Sequence, residues 1–220
     1  MNPNWKPGDQ IISPVDQMIE IELDKIPPAE KYKLLIGAIV PRPIAFVSTR
    51  GKNGISNLAP FSFYTGVSTA PPCVLFSIVN HPKKGLKDTM RNIQETGEFV
   101  VNSVNQWIAE AAHYSSEDLD YEINEFERVG LTEIESTVIQ APRVKEAAVQ
   151  MECKTHQIVN IGGNGPGATN LVIGEILKMH IDERIYSDGK IDFNLYQPVG
   201  RIGGPGYVHD PQITNMPPAR

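Results

Sequence analysis

The sequence has few cysteines, no long apolar run and no surplus of positive charge, and each shortage argues against a class of protein. Two cysteines, Cys73 and Cys153, are too few for a disulfide framework and are typical of a reducing compartment. No apolar run approaches the roughly 20 residues of a membrane span, and the N-terminus lacks the apolar core of a signal peptide. The net charge of -6 disfavours general nucleic-acid binding, which needs excess Lys and Arg. We therefore expect a cytoplasmic protein with no membrane and no nucleic-acid partner.

Proline and glycine, by contrast, are abundant, with 18 of each among 220 residues. In β structure proline is confined to edges, turns and bulges, and glycine supplies tight corners. Strand patterns outnumber helix patterns and do not alternate with them regularly, which predicts a mainly β fold, a barrel with attached helices. We predict an extended N-terminal arm over residues 1–28, one barrel domain over 29–208 and a proline-rich tail over 209–220.

Hydrophobic periodicity and glycines locate the predicted elements. The glycines of residues 51–54 predict a hairpin turn. The acidic segment 115–136, in which Arg128 is the only basic residue, is interpreted as a surface excursion with a helical turn around Phe126. The predicted strands cover residues 43–49, 55–67, 72–79, 99–102, 149–161 and 169–181, and the predicted helices cover 29–36, 85–95 and 107–114.

Three familiar chemistries find little support in the sequence. The glycines of segment 162–167 precede a strand pattern at 169–181, whereas the dinucleotide fingerprint must precede a helix. Cys153 and His156 have the spacing of half a zinc site, but residues three apart on a strand point to opposite faces. There is no Gly-x-Ser-x-Gly elbow, and Cys73 begins an apolar run as a buried thiol would. We expect no metal site and no hydrolase nucleophile.

The segment 81–92 concentrates four Lys or Arg residues in an otherwise acidic chain, around the predicted start of a helix. A helix N-terminus presents unpaired N–H groups and partial positive charge, which suit a phosphate. Lys84 and Lys87 would add full charges, and Thr89 a hydroxyl. The same residues are also compatible with a solvated basic helix face, and charge alone does not decide between the two.

A second unusual stretch, residues 56–62, interrupts two apolar β-like segments with small and polar residues. A flat ligand such as a flavin needs backbone hydrogen-bonding groups and an apolar floor. Ala59 is small enough for close approach, and Pro60 disrupts regular strand pairing and leaves neighbouring backbone groups free. A β-bulge without a ligand is the alternative interpretation of this stretch.

Taken in order, these motifs resemble the flavin reductase-like family of FMN-binding split β-barrels, in the branch that includes flavoredoxin. The resemblance covers roughly residues 30–207. It is carried by the sequences at 41–49, Gly54, 57–63, 71–72, 87–89, 92–93, 96–102, 130–132, 173–175 and 198–204.

The resemblance implies a homodimeric split β-barrel with one FMN per subunit near the dimer interface. It implies no catalytic side chain, because flavin N5 carries the chemistry. Tyr207 would close over the ring or reach the partner's site. By analogy, the residues along the flavin would be Thr49, Asn57, Leu58, Ala59 and Ser62. The phosphate end would be held by Lys84, Lys87 and Thr89, with Ser77 and His81 as further candidates.

The expected activity is hydride transfer from NADH or NADPH to the flavin, an NAD(P)H:flavin oxidoreductase. A flavoredoxin-like FMN electron carrier, which exchanges electrons with a redox protein and has no nicotinamide activity of its own, is the alternative. A split barrel that has lost its flavin and serves as a binding module is disfavoured, because both the basic segment and the 56–62 stretch are present. A role like that of pyridoxamine-phosphate oxidase ranks lower, because the resemblance is to the reductase branch.

Overall fold

The computed structural model describes residues 6–210, 212–214 and 216. The first five residues of the predicted arm and part of the predicted tail therefore lie outside the described residues. Residues 6–22 contain neither helix nor strand, and a short 3-10 helix follows at Leu23–Lys25. The division into arm, domain and tail stays a prediction.

The chain folds into one large sheet with attached helices, which confirms the predicted mainly β class. The helices are α1 (Pro28–Ala38), α2 (Asp88–Thr96), α3 (Ala109–Tyr114), α4 (Glu125–Val129) and α5 (Phe193–Tyr196). The long strands are β1 (Ala45–Arg50), β2 (Ser56–Phe61), β3 (Tyr64–Thr69), β4 (Pro72–Val79) and β5 (Glu98–Asn102). Next come the short strands β6 (Glu133–Ile134) and β7 (Arg143–Val144), then the long hairpin of β8 (Val149–Ile161) and β9 (Thr169–Ile181). Four further short strands complete the chain: β10 (Tyr186–Ser187), β11 (Lys190–Ile191), β12 (Gly200–Arg201) and β13 (Tyr207–Val208).

Seven strands form an antiparallel sheet in the order β2-β1-β5-β8-β9-β4-β3. The predicted single return strand over 55–67 is therefore wrong. The chain changes partner at Ser62 and Phe63, so that β2 pairs with β1 whereas β3 pairs with β4. Although β2 and β3 are consecutive in the chain, they form the two opposite edges of the sheet.

The side chains of β1 alternate between two hydrophobic cores, as the period of a strand requires. Ala45 and Val47 belong to the first core, which contains Phe76 and Phe99 from the sheet and Met90 from α2. The intervening residue Phe46 packs with Leu58 in a second core, to which α3 and α4 also contribute. Each face of the sheet is thus packed against a hydrophobic core, and α2 contributes side chains to the first core.

Helix α2 begins three residues later than predicted. His81 and Gly85 form an isolated bridge, and Gly85 has a φ of 78°, so the chain turns there instead of entering a helix. Gly85 and Leu86 therefore precede the helix, which corrects its predicted start at residue 85, and Lys87 is the N-cap residue. Gly97 ends the helix as predicted, in the left-handed conformation with a φ of 73°.

The glycine-rich segment 162–167 connects β8 to β9, as predicted. On β8 the Cys153 side chain is buried and His156 is exposed, so these two side chains do not converge. Among residues 6–210, 212–214 and 216 no cluster of metal-ligating side chains is found. Within the same described part of the chain, no helix is both long and apolar enough to cross a bilayer.

Candidate functional site

A cleft of about 550 Å³ lies between β2, the turn that leads into α2, and the first part of the acidic segment. It brings together the two stretches that the sequence singled out, 56–62 and 81–92. Six of the predicted site residues line it: Asn57, Ala59, His81, Lys84, Lys87 and Thr89. A larger depression of about 680 Å³ lies beside α4, and none of the predicted site residues lines it.

The outer edge of β2 forms one wall of the cleft. Within the sheet β2 pairs with β1 alone, so one row of its backbone groups faces away from the sheet. The Leu58 N–H belongs to this outer row, because it donates to Glu125 Oε2 at 3.0 Å. By the two-residue period of a strand, Pro60 occupies the next outer position, where its missing N–H costs no sheet hydrogen bond.

Buried polar side chains connect β1, β2 and α2 beneath this edge. Asn57 Oδ1 accepts hydrogen bonds from Thr89 Oγ1 at 2.8 Å and Thr49 Oγ1 at 3.4 Å. Asn92 Nδ2 donates to Thr49 Oγ1 at 3.0 Å, and the Tyr121 hydroxyl donates to Asn92 Oδ1 at 2.7 Å. Thr49 therefore lies under the cleft instead of lining it, and the Thr89 hydroxyl is engaged inside the protein.

Glu125, from α4, is a buried carboxyl group in the wall of the cleft, with 7% of its surface exposed. Burial raises the pKa of Glu125, while hydrogen bonds from the Asn57 side chain and the Leu58 N–H act in the opposite direction. Its neighbour Phe126 is fully buried in the second core. The predicted helical turn around Phe126 is confirmed, but the interpretation of the whole segment as a surface excursion is wrong here.

The opposite end of the cleft carries positive charge. Lys84 Nζ donates to Asp118 Oδ1 at 2.7 Å and to the Leu119 carbonyl at 3.2 Å. The hydrogen bond with Asp118 raises the pKa of Lys84 and lowers that of Asp118. Lys87 lies 5.9 Å from the centroid of the Phe61 ring, and desolvation by its neighbours lowers its pKa.

The N-terminus of α2 opens at this positive end, because Lys87, Asp88 and Thr89 all line the cleft. Lys87 is the N-cap residue, and no side chain caps the first turn. Burial raises the pKa of Asp88, the first residue of the helix. The terminal N–H groups, with the two lysines, form a donor set that suits an anionic group.

A smaller cleft of about 240 Å³ adjoins the first and shares Pro60 and Ser116 with it. Ser62 and Tyr207 line this second cleft. The Tyr207 hydroxyl lies 2.9 Å from His113 Nδ1, and Tyr207 thereby stands beside the main cleft and not inside it.

Besides Thr49, two predicted site residues, Leu58 and Ser77, line neither cleft. The Leu58 side chain is fully buried in the second core, so only its backbone faces the β2 edge. Ser77 lies within β4, opposite Leu171 of β9, and its N–H donates to the Phe63 carbonyl at 2.9 Å.

The family model described as flavin reductase like domain matches residues 36–195. The chain belongs to this flavin reductase-like family. An uncharacterized protein of Halalkalibacterium halodurans is 40% identical over 190 residues, which cover 86% of this chain and 91% of the relative. The family assignment confirms the resemblance seen in the sequence.

Solved structures agree with this assignment. The nitrilotriacetate monooxygenase component B of Bacillus cereus is 34% identical with a TM-score of 0.88, over 92% of this chain and 100% of that chain. The 2-nitrobenzoate 2-nitroreductase NbaA of Pseudomonas fluorescens is 32% identical with a TM-score of 0.82, over 91% and 96%. A Shewanella frigidimarina protein with a split barrel domain is 27% identical with a TM-score of 0.77, over 89% and 96%. The predicted split β-barrel is thereby confirmed.

The structure places two residues in the lining of the cleft, Asp118 and Glu125, and two beneath it, Asn92 and Tyr121, that were not among the predicted site residues. Asn92 could have been identified from the sequence, because it lies three residues after Thr89 and therefore on the same face of the helix. The other three belong to the acidic segment, and no local pattern shows which of its carboxylates turn inward.

Proposed function

We propose that this flavin reductase-like protein binds FMN in the main cleft and transfers hydride to it from NADH or NADPH. The single observation that carries the proposal is that the two ends of the cleft differ in chemical character. One end is the free edge of β2, and the other is a cationic end built from Lys84, Lys87 and the start of α2. FMN has the matching division into a flat ring and a phosphate.

The residues present fit that group. Along β2, Ala59, Pro60 and Phe61 offer a narrow apolar surface, and the outer backbone groups offer hydrogen bonds to a ring edge. Asn57 and Thr49 act from below by fixing the position of the strand. Lys84 and Lys87 would hold the phosphate, with His81 at the same end and the Thr89 hydroxyl acting through Asn57. Leu58 would act through its backbone carbonyl, because its N–H is already bonded to Glu125.

When bound, FMN supplies the hydride acceptor, and the protein supplies position and exclusion of water. We assign no catalytic side chain. The smaller cleft, bounded by Ser62 and Tyr207, adjoins the ring end of the main cleft at Pro60 and would admit the second reactant. Ser77 has no contact that supports a role in this proposal.

The similar structures differ in role, which supports electron transfer to different acceptors. One is a component of a monooxygenase and another is a nitroreductase. We propose a homodimer, on family analogy, and leave a redox protein or free flavin as the onward acceptor. A monomeric mass in solution for protein that still binds FMN would contradict the dimer.

The test is an anaerobic absorbance titration of FMN-reconstituted protein with NADH and, separately, NADPH. Rapid bleaching of the bound flavin band by either nucleotide is the expected result and identifies the preferred donor. A bound yellow flavin that neither nucleotide bleaches would favour the flavoredoxin-like electron carrier. Protein that retains no flavin after reconstitution would contradict FMN binding altogether.

A further inference from the structure

Asp118 lies where the cationic end of the main cleft would receive an anion. Its Oδ1 accepts from Lys84 Nζ at 2.7 Å, and its Oδ2 lies 3.6 Å from His81 Nε2. His81 Nδ1 accepts from the Lys83 and Lys84 N–H groups at 3.2 and 2.9 Å, which leaves the ring hydrogen on Nε2, facing Asp118. The carboxylate thus sits between two donor groups of the proposed phosphate end.

The other charged residues of the cleft show why the position of Asp118 matters for an anion. The Lys and Arg residues of the lining are Lys84, Lys87 and Arg91. Its acidic residues are Asp88, Glu117, Asp118 and Glu125. Glu117 pairs with Arg128 at 2.9 Å, and Glu125 is buried at the β2 end. Asp118 is therefore the acid that pairs directly with a cation of the phosphate end. A phosphate that approaches Lys84 must displace this carboxylate or accept its repulsion.

Displacement of Asp118 is structurally feasible. The Asp118 side chain is 57% exposed and that of Lys84 is 47% exposed, and ion pairs between exposed groups are weak. A phosphate carries more charge and more acceptor oxygens than a carboxylate, so it can take over the Lys84 ammonium. A phosphate that takes over the ammonium in this way must break the contact between Lys84 and Asp118.

We infer that Asp118 is a specificity-determining residue that competes with the phosphate of FMN for Lys84 and so keeps FMN exchangeable. This inference rests on the proposed FMN site. It predicts that the acidic segment lowers the affinity for phosphate-bearing flavin and leaves the affinity for riboflavin unchanged.

The experiment compares wild-type protein with Asp118→Asn and, as a matched control, Asp120→Asn. Both variants remove one negative charge from exposed positions in the same segment. Equilibrium constants for FMN and riboflavin are measured by quenching of flavin fluorescence, and FMN release is measured by stopped flow. Near-UV circular dichroism verifies that each variant is folded.

The expected result is that Asp118→Asn binds FMN about threefold to tenfold more tightly than wild type, with slower release and no change for riboflavin. Asp120→Asn should differ from wild type by less than about twofold. Unchanged or weaker FMN binding by Asp118→Asn, an equal gain for riboflavin, or an equal gain in the control would overturn the inference while leaving the FMN site intact. Absence of FMN binding in all three proteins would overturn the proposed function, and the inference with it.

Discussion

The Leu58 N–H donates a hydrogen bond of 3.0 Å to Glu125 Oε2, so a carboxyl group from the acidic segment completes the free edge of β2. This contact joins two parts of the chain that are 67 residues apart. It also places a titratable group at the edge of the strand that would support a flavin ring.

The free energy of unfolding should depend on pH through the titration of Glu125. Burial raises the folded pKa of Glu125 above its unfolded value, so the folded state binds the proton more tightly. This group therefore contributes stability at low pH, which is lost as the pH rises through its folded pKa. Glu125→Gln removes the ionisable group. The free energy of unfolding of the variant, relative to that of wild type, should therefore increase as the pH rises from the unfolded to the folded pKa of Glu125, and should be constant above it. Urea unfolding at a series of pH values measures this difference, and a difference that is independent of pH would contradict it.

Glu152 should show the opposite behaviour. Burial acts to raise its pKa, but hydrogen bonds from the Thr137 and Val138 N–H groups and from His180 outweigh burial and lower the pKa to about 2. The stability from this group is present above its unfolded pKa and is lost as the pH falls toward 2. It amounts to roughly 3 kcal/mol.

Glu152→Gln should be less stable than wild type at neutral pH and should lose less stability on acidification. The measurement is the free energy of unfolding between pH 7 and pH 2. Parallel curves for variant and wild type would show that the buried carboxylate does not contribute in this way.

Replacement of both Lys84 and Lys87 by alanine should weaken FMN binding by about 10- to 100-fold, because charge-assisted contacts to phosphate are lost. Riboflavin, which lacks the phosphate, should bind almost as well as it does to wild type. Lys83→Ala is the matched control, because Lys83 is an exposed lysine of the same turn that does not line the cleft. Equal losses for FMN and riboflavin would place the phosphate elsewhere.

Gly174 on β9 should not tolerate a side chain. A Cβ at this position would overlap the ring of Phe99, which is fully buried in the first core. Gly174→Ala should therefore cost about 1–3 kcal/mol of stability. Gly66→Ala on β3 is the control, since a Cβ there meets nothing within 4 Å. Thermal unfolding of both variants makes the comparison, and equal melting temperatures would refute the packing argument.

Local patterns in the sequence predicted most of the strands and the components of the cleft. The β9 boundaries at 169 and 181 follow from apolar residues of one parity, a pattern interrupted only by Glu175, because the side-chain period of a strand is local information. The Asn57 stretch and the Lys84 turn were found by composition, and the fold brought them to one cleft.

What the sequence did not reveal depends on distant partners. The break between β2 and β3 at Ser62 has no strong local signal, because the residues on either side are compatible with one continuous strand. Glu125, Asp118 and Glu117 are indistinguishable by composition within the acidic segment. Their different environments arise from Leu58, Lys84 and Arg128, which lie in other parts of the chain or on α4.

The change of strand partner at Ser62 and Phe63 limits how far the adjoining ends of β2 and β3 can move apart. These two residues are the whole connection between opposite edges of the sheet, and a link of this length spans roughly 10 Å at full extension. The strands β2 and β3 are therefore tethered at one corner, and that corner cannot spread to let a ligand enter. The main cleft is bounded on its other side by the first part of the acidic segment, which is joined to the turn before α2 by the exposed Lys84–Asp118 pair.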